Sequence, residues 1–309
     1  MNLGQLTNQI VLMFCLMLIG VLVNKMGFMH PQTSNDLTNI LLYIVSPCLI
    51  ISAFEQRYSS ARMGQLAMVM GGTIIFYIVE IIITHVLFGK VSNLNLRRTV
   101  QYGSVYSNAG FMGIPLTSSL FGSTGVFFAV AALAGFNLFS WTHGISLFKS
   151  KNKKMDRLEN LRTILLNPNI LAIAVGLVMF ISSFHFPGTI DQVIHYVSSI
   201  NTPLSMIVIG NSLANIQISR RLLSKPILGA IFLRNILYPI LAILIFNLLA
   251  INGIAFYTTL LMAACPVAGI VVLFTLQAEG DEGPAVALMS LSTILSLLTI
   301  PLIFALSKI

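Results

Sequence analysis

Two stretches of the chain set polar side chains beside residues that interrupt a helix, in surroundings that are otherwise apolar. The first runs Ser107, Asn108, Ala109, Gly110, Phe111, Met112, Gly113, Ile114, Pro115. Two glycines and a proline within one or two turns are where a continuous helix is least favoured. Pro115 has no N–H and displaces the carbonyl four residues back, that of Phe111, so the break is expected at Pro115. The second stretch, Ala263 to Gly269, repeats the arrangement in weaker form around Cys265 and Pro266. In hydrocarbon an unpaired backbone group is tolerated only against protein or a hydrated cavity. Two such breaks brought together would present helix ends and free peptide groups at one site, and an N-terminal helix end favours a carboxylate. The Asn108 amide both donates and accepts, which suits holding a carboxylate or steadying the opened backbone; its alternative is a helix–helix hydrogen bond. Ser107, Gly113, Pro115, Thr202, Cys265 and Pro266 are candidates for the same site. Asn137 and Asn211 stand in apolar runs, as substrate ligands or as packing amides.

Ionisable groups in apolar runs are Glu80, His85, His143 and Arg234. Such groups are costly in hydrocarbon and face a cavity or one another. Glu80 and Arg234 are candidates for coupling or gating as a charge pair on the cytoplasmic side, with snorkelling of Arg234 to the interface the favoured alternative. His143, an imidazole by type, is a candidate for a proton-coupled cycle, or else for an interfacial position. Cys15, Cys48 and Cys265 lie far apart in apolar runs and read as packing residues. No Gly-rich loop ending in Lys-Ser or Lys-Thr, no His-Glu-x-x-His pair and no nucleophile–base set is visible. Neither an enzyme nor a metal or cofactor is expected, although coupling to protons or sodium stays open.

The elements that must carry these residues are membrane helices. The chain has 309 residues, 56% hydrophobic and only 8% charged, with a mean hydropathy of +0.91. A soluble domain would carry about a quarter charged residues. Ten apolar spans are expected, near 6–26, 36–56, 63–88, 100–120, 124–148, 163–183, 191–215, 227–249, 254–276 and 283–306, each long enough to cross roughly 30 Å of hydrocarbon. The net charge of +8 reflects basic loops rather than nucleic-acid binding. Lys149, Lys151, Lys153, Lys154, Arg157 and Arg162 place the loop after the fifth span in the cytoplasm. Lys25, Lys90, Arg97, Arg98, Arg220, Arg221 and Lys225 follow other odd-numbered spans, so 13 of 17 basic residues lie inside and both termini outside. Residues 1–10 hold no Lys or Arg, so the first run reads as a retained span.

Weak internal symmetry joins the halves. Ser46-Pro47 matches Thr202-Pro203, and Pro115 matches Pro266, at nearly one offset. Five spans per half make the repeats opposite in orientation.

On these residues the chain resembles the auxin efflux carrier family, whose bacterial members carry small organic acids. The segments that carry the resemblance are GVLVNKMGF from Gly20 to Phe28, the following YIVSPCLI, SNAGFMGIPL from Ser107 to Leu116, and TPLSMIVIGNSLA from Thr202 to Ala214. The resemblance implies an all-α integral membrane protein of ten helices in two inverted five-helix repeats, 1–150 and 151–309, with helices four and nine broken and crossing at their prolines. It implies scaffold helices in 6–56 and 163–215, transport-domain helices in 63–148 and 227–306, and a homodimer through helices two and seven. The expected activity is secondary active transport of malate, malonate or a similar carboxylate by alternating access in a bacterial inner membrane. An auxin-like aromatic carboxylate exporter and an organic-anion channel are the alternatives. The long hydrophilic central loop of the plant members is missing here.

Overall fold

A computed structural model describes residues 3–148, 162, 165–214 and 224–307. The lysine-rich segment from Lys149 through Arg157, together with Arg220, Arg221 and Lys308, lies outside the described residues. All regular structure among the described residues is helical: α1 (Leu3–Lys25), α2 (Pro31–Ile40), α3 (Ser46–Phe54), α4 (Ser60–Phe88), α5 (Leu94–Val105), α6 (Ile114–Phe139), α7 (Ile145–Phe148), α8 (Pro168–Ser182), α9 (Gly188–Ser199), α10 (Asn201–Ala214), α11 (Lys225–Phe232), α12 (Tyr238–Leu248), α13 (Gly253–Ala264), α14 (Ile270–Gln277) and α15 (Gly283–Leu306). Seven helices, some of them joined pairs of these segments, are long and apolar enough to cross a membrane, and Pro168–Ser182 and Gly253–Ala264 are shorter apolar helices. The chain is a multi-pass membrane protein.

Local chemistry explains the boundaries. Ser59, Asn93 and Asn167 accept backbone N–H groups in the first turns of α4, α5 and α8 through their side chains, satisfying donors a helix start leaves open. Three prolines share one solution. Pro47, Pro115 and Pro239 each stand second in an α-helix that follows a five-residue π-helical turn: Leu41–Val45, Ala109–Gly113 and Leu233–Leu237. The residue before each proline donates its N–H five residues back, to Leu41, Ala109 and Leu233 respectively. The wider turn accommodates the ring and the missing donor without ending the helix. Pro115 therefore does not break its helix, contrary to expectation. A fourth π-helical turn, Ser140–Gly144, contains His143 and no proline. Gly122 interrupts α6 at φ 60°, ψ −155°, a left-handed conformation that a side chain would strain.

Two faces meet most closely at α1 and α10. A Cβ on Gly20 would overlap the Ile207 carbonyl oxygen, and one on Gly210 the Met17 carbonyl oxygen, so only glycine allows the backbones to approach there. Nearby, Asn24 Nδ2 donates to Asn211 Oδ1 at 2.8 Å. Phe127 of α6 stacks edge-on against Phe54 of α3 (centroids 5.0 Å) and packs on Phe180 of α8 at 4.9 Å. Gly210→Ala should lower stability by about 1–3 kcal/mol through overpacking. Gly64→Ala in α4, where a Cβ meets nothing within 4 Å, should leave the melting temperature equal or slightly higher. Equal losses in the two purified variants would contradict the α1–α10 contact.

Candidate functional site at the crossing of two broken helices

α5 ends at Val105, and the chain runs on with Tyr106 extended at φ −100°, ψ 108°. α13 ends at Ala264, with Cys265 extended at φ −61°, ψ 147°. The two extended pieces pair as an isolated antiparallel bridge between Ser107 and Val267. Asn108 N donates to Pro266 O at 2.7 Å and Ala268 N to Tyr106 O at 2.9 Å. Val267 N donates to Ser292 Oγ at 3.0 Å, and Ser292 Oγ to Asn235 Oδ1 at 2.6 Å. Backbone groups freed by the two breaks thus satisfy one another and a buried hydroxyl, as a low-dielectric interior requires. The crossing lies at Pro266 in one strand. In the other it lies at Tyr106–Asn108, upstream of Pro115.

Four half-helix ends converge here. The C-terminal ends of α5 and α13 meet Arg234, whose Nη1 donates to Val105 O at 2.7 Å and Ser104 O at 3.3 Å, and whose Nη2 donates to Ala263 O. Arg234 Nη1 also reaches Glu80 Oε1 at 3.1 Å. The side chains of Arg234 and Glu80 are 1% and 0% exposed, so the expected snorkelling of Arg234 does not occur. Three carbonyls at negative helix ends and a carboxylate offset the loss of water that would otherwise drive the guanidinium to the interface. Tyr238 OH donates to Glu80 O at 3.2 Å and lies 2.5 Å from Thr84 Oγ1, holding α4 against α12.

The opposite ends are N-terminal. Met112 N and Gly113 N donate to Asn108 O at 3.2 and 2.9 Å, starting the π-helical turn before α6. The N–H groups of Gly110, Phe111, Gly269 and Ile270 have no acceptor among the described residues. Asn108 is half-buried, and its amide makes no hydrogen bond among the described residues. These are donors beside two positive helix ends, a chemistry that suits a carboxylate.

The other candidates divide. Ser107 is buried in the bridge and faces a void of about 10 Å³ shared with Thr73, Tyr77 and Thr259. Gly113 packs on α13, since a Cβ there would lie 2.6 Å from Met262 Sδ and 3.5 Å from Cys265 Sγ. Thr202 Oγ1 donates to Pro115 O at 3.2 Å, joining α10 to the broken helix. Thr202 also lines a cavity of about 560 Å³ with Ser52, Ser118, Ser123, Glu55 and Asp191. Asn137 donates to Leu133 O at 3.1 Å on its own helix, and Asn211 pairs with Asn24; neither amide is brought to the crossing by these bonds. His143 Nδ1 lies 2.8 Å from Tyr106 OH, which donates to Phe139 O at 2.9 Å. His143 is thus connected to the crossing through Tyr106.

Asn235, Ser292 and Tyr106 escaped the sequence reading. A buried Arg-Asn pair inside an apolar run was the available signal for Asn235, whose Nδ2 donates to Ser292 O at 2.9 Å. Nothing in the sequence marked Ser292 among the other serines of α15.

The family described as membrane transport protein matches residues 5–164 and 158–304. An uncharacterized transporter of Methanothermobacter thermautotrophicus is 25% identical over 306 residues, covering 96% of each chain. An uncharacterized transporter of Methanocaldococcus jannaschii is 22% identical over 302 residues, covering 95% of this chain and 96% of its own. With the crossing of two broken helices and the family match running the length of the chain, this protein belongs to the auxin efflux carrier-like membrane transport family.

Proposed function

We propose that the protein is a secondary active transporter that carries small organic anions such as malate or malonate through a site at the helix crossing, by alternating access. The observation that carries this reading is the antiparallel bridge, with free N–H donors and the unpartnered Asn108 amide on its N-terminal side. In this reading the chain makes ten crossings in two inverted repeats. The 40-residue stretch Ala109–Phe148 is about twice the length a bilayer needs, and Gly122 divides it. Helices α1–α3 and α8–α10 are the scaffold, dimerising through the second and seventh spans, and the remaining helices move. Thr202 to Pro115 O is then a bond across the moving interface, and Gln9–Ser119, 2.8 Å apart, is a second. Both bonds are neutral and cheap to exchange for water.

The topology reading places the basic loops in a bacterial cytoplasm and both termini outside, so the large cavity opens outward. A single cysteine replacing Ser123, on that cavity's wall, should react with a membrane-impermeant reagent in intact cells. A cysteine replacing Lys154 should react only after the membrane is opened. Reversed labelling contradicts the orientation.

The test of function is uptake of labelled malate into proteoliposomes with and without unlabelled malate inside. Acceleration by internal malate is expected of a carrier. Uptake indifferent to internal substrate and large unitary currents would instead indicate a channel. A panel of dicarboxylates and aromatic acids as competitors reads out the substrate class.

A further inference from the structure

The crossing has a negative side that the proposed carboxylate does not use. Two helix C-terminal ends point their last carbonyls, Ser104, Val105 and Ala263, at one place beside the Glu80 carboxylate. In transporters built from broken helices, unwound carbonyls and half-helix C-terminal ends are what coordinate a sodium ion or a proton. Here the guanidinium of Arg234 sits at that place, with N–H groups on all three carbonyls and on the carboxylate. Its planar fork of N–H donors brings a positive charge to this place. The void behind the bridge, between Thr73, Tyr77, Ser107 and Thr259, is about 10 Å³, little more than one water-sized probe. Ala263, whose carbonyl Arg234 engages, lines this space as well.

We propose that Arg234 is a built-in counter-cation that occupies the position of a coupling ion at the crossing, so that carboxylate exchange runs without sodium. This rests on the carrier reading above and adds how its site is charged. Arg234 acts as a positioning residue: it holds the C-terminal ends of α5 and α13 together while the N-terminal ends of the partner half-helices face the anion. One observation agrees with a fixed tie rather than a gate. Its partners come from α4, α5 and α13, all within the proposed moving unit, so the tie need not break when that unit moves against the scaffold.

The experiment has two arms. In proteoliposomes, malate exchange by the wild-type protein should run at the same rate in sodium and in choline media of equal ionic strength. Faster exchange in sodium overturns the proposal. In detergent, Arg234→Ala should melt several degrees below the wild type and recover part of the loss in millimolar guanidinium or sodium but not in choline, while the wild type responds to none of them. A variant whose melting does not distinguish these cations also overturns it. Should Arg234→Ala fail to fold, Arg234→Lys carries the test. Its ammonium keeps the charge but reaches fewer carbonyls, so its exchange should be slower yet still independent of sodium, and a sodium requirement in that variant contradicts the proposal. If the wild type exchanges no carboxylate at all, the carrier reading falls, and the melting arm still decides the cation.

Discussion

Asn108→Ala should weaken carboxylate binding by roughly ten- to over a hundredfold, the loss of one hydrogen bond to a charged group worth about 1.5–3 kcal/mol. The fold should not notice. The backbone N–H and carbonyl of Asn108 are engaged by Pro266, Met112 and Gly113, and alanine keeps both; the amide, by contrast, makes no bond among the described residues. Melting temperature should therefore stay at the wild-type value while affinity falls, a separation that a packing amide would not give. Asn108→Leu should bind more weakly still because it also fills the space beside the helix ends. Asn137→Ala, whose amide serves Leu133 O on its own helix, should leave affinity unchanged. Calorimetric binding and thermal melting on the same purified variants decide this. Affinity in Asn108→Ala unchanged for a carboxylate that the wild type binds would remove that residue from the site.

Arg234→Met should cost about 3–5 kcal/mol of stability, the range for deleting one partner of a buried ion pair. The loss has two parts: Glu80 is left as an uncompensated buried charge, and three carbonyls at the ends of α5 and α13 lose their donor. Removing the carboxylate charge as well should return part of it. Glu80→Gln/Arg234→Met is expected to melt above Arg234→Met and to fall short of the sum of the single losses, because the two residues touch. Full recovery is not expected, since the carbonyls remain without a donor. Strict additivity in the double-mutant cycle would mean that the pair does not form.

Pro115 and Pro266 show what a single sequence can and cannot locate. Cys265-Pro266 breaks where its residues predict, because nothing upstream widens the turn. Pro115 looks like the stronger breaker, with two glycines before it, yet the π-helical turn Ala109–Gly113 absorbs it and the helix runs on. The break sits instead at Tyr106–Asn108, where the backbone is drawn into pairing with Pro266 and Ala268. That pairing joins residues about 160 positions apart, and no local pattern encodes it. Arg234 taught the same lesson in charge. The apolar run around it was plain in the sequence, but its three carbonyl partners are backbone groups from two other helices. Without them, escape to the interface was the cheaper outcome. Asn211 and Asn137 were legible as buried amides, whereas their partners, Asn24 across the α1–α10 contact and Leu133 one turn away, decide what they do. Among the described residues, helical structure and its apolarity, which depend on composition along the chain, were readable, while seven rather than ten helices are long and apolar enough to cross a membrane.

The most direct test of the account is the accessibility of a cysteine at the crossing. In a chain with Cys15, Cys48 and Cys265 replaced by alanine, Gly110→Cys, where a Cβ meets only Leu133 Cδ1 at 3.9 Å and the Asn108 amide is kept, should react with a membrane-impermeant reagent in right-side-out vesicles and also in inside-out vesicles, and malate should slow both reactions. Reaction from one face only, or reaction from both that malate leaves unchanged, would contradict a substrate site at the helix crossing that opens alternately to the two sides of the membrane.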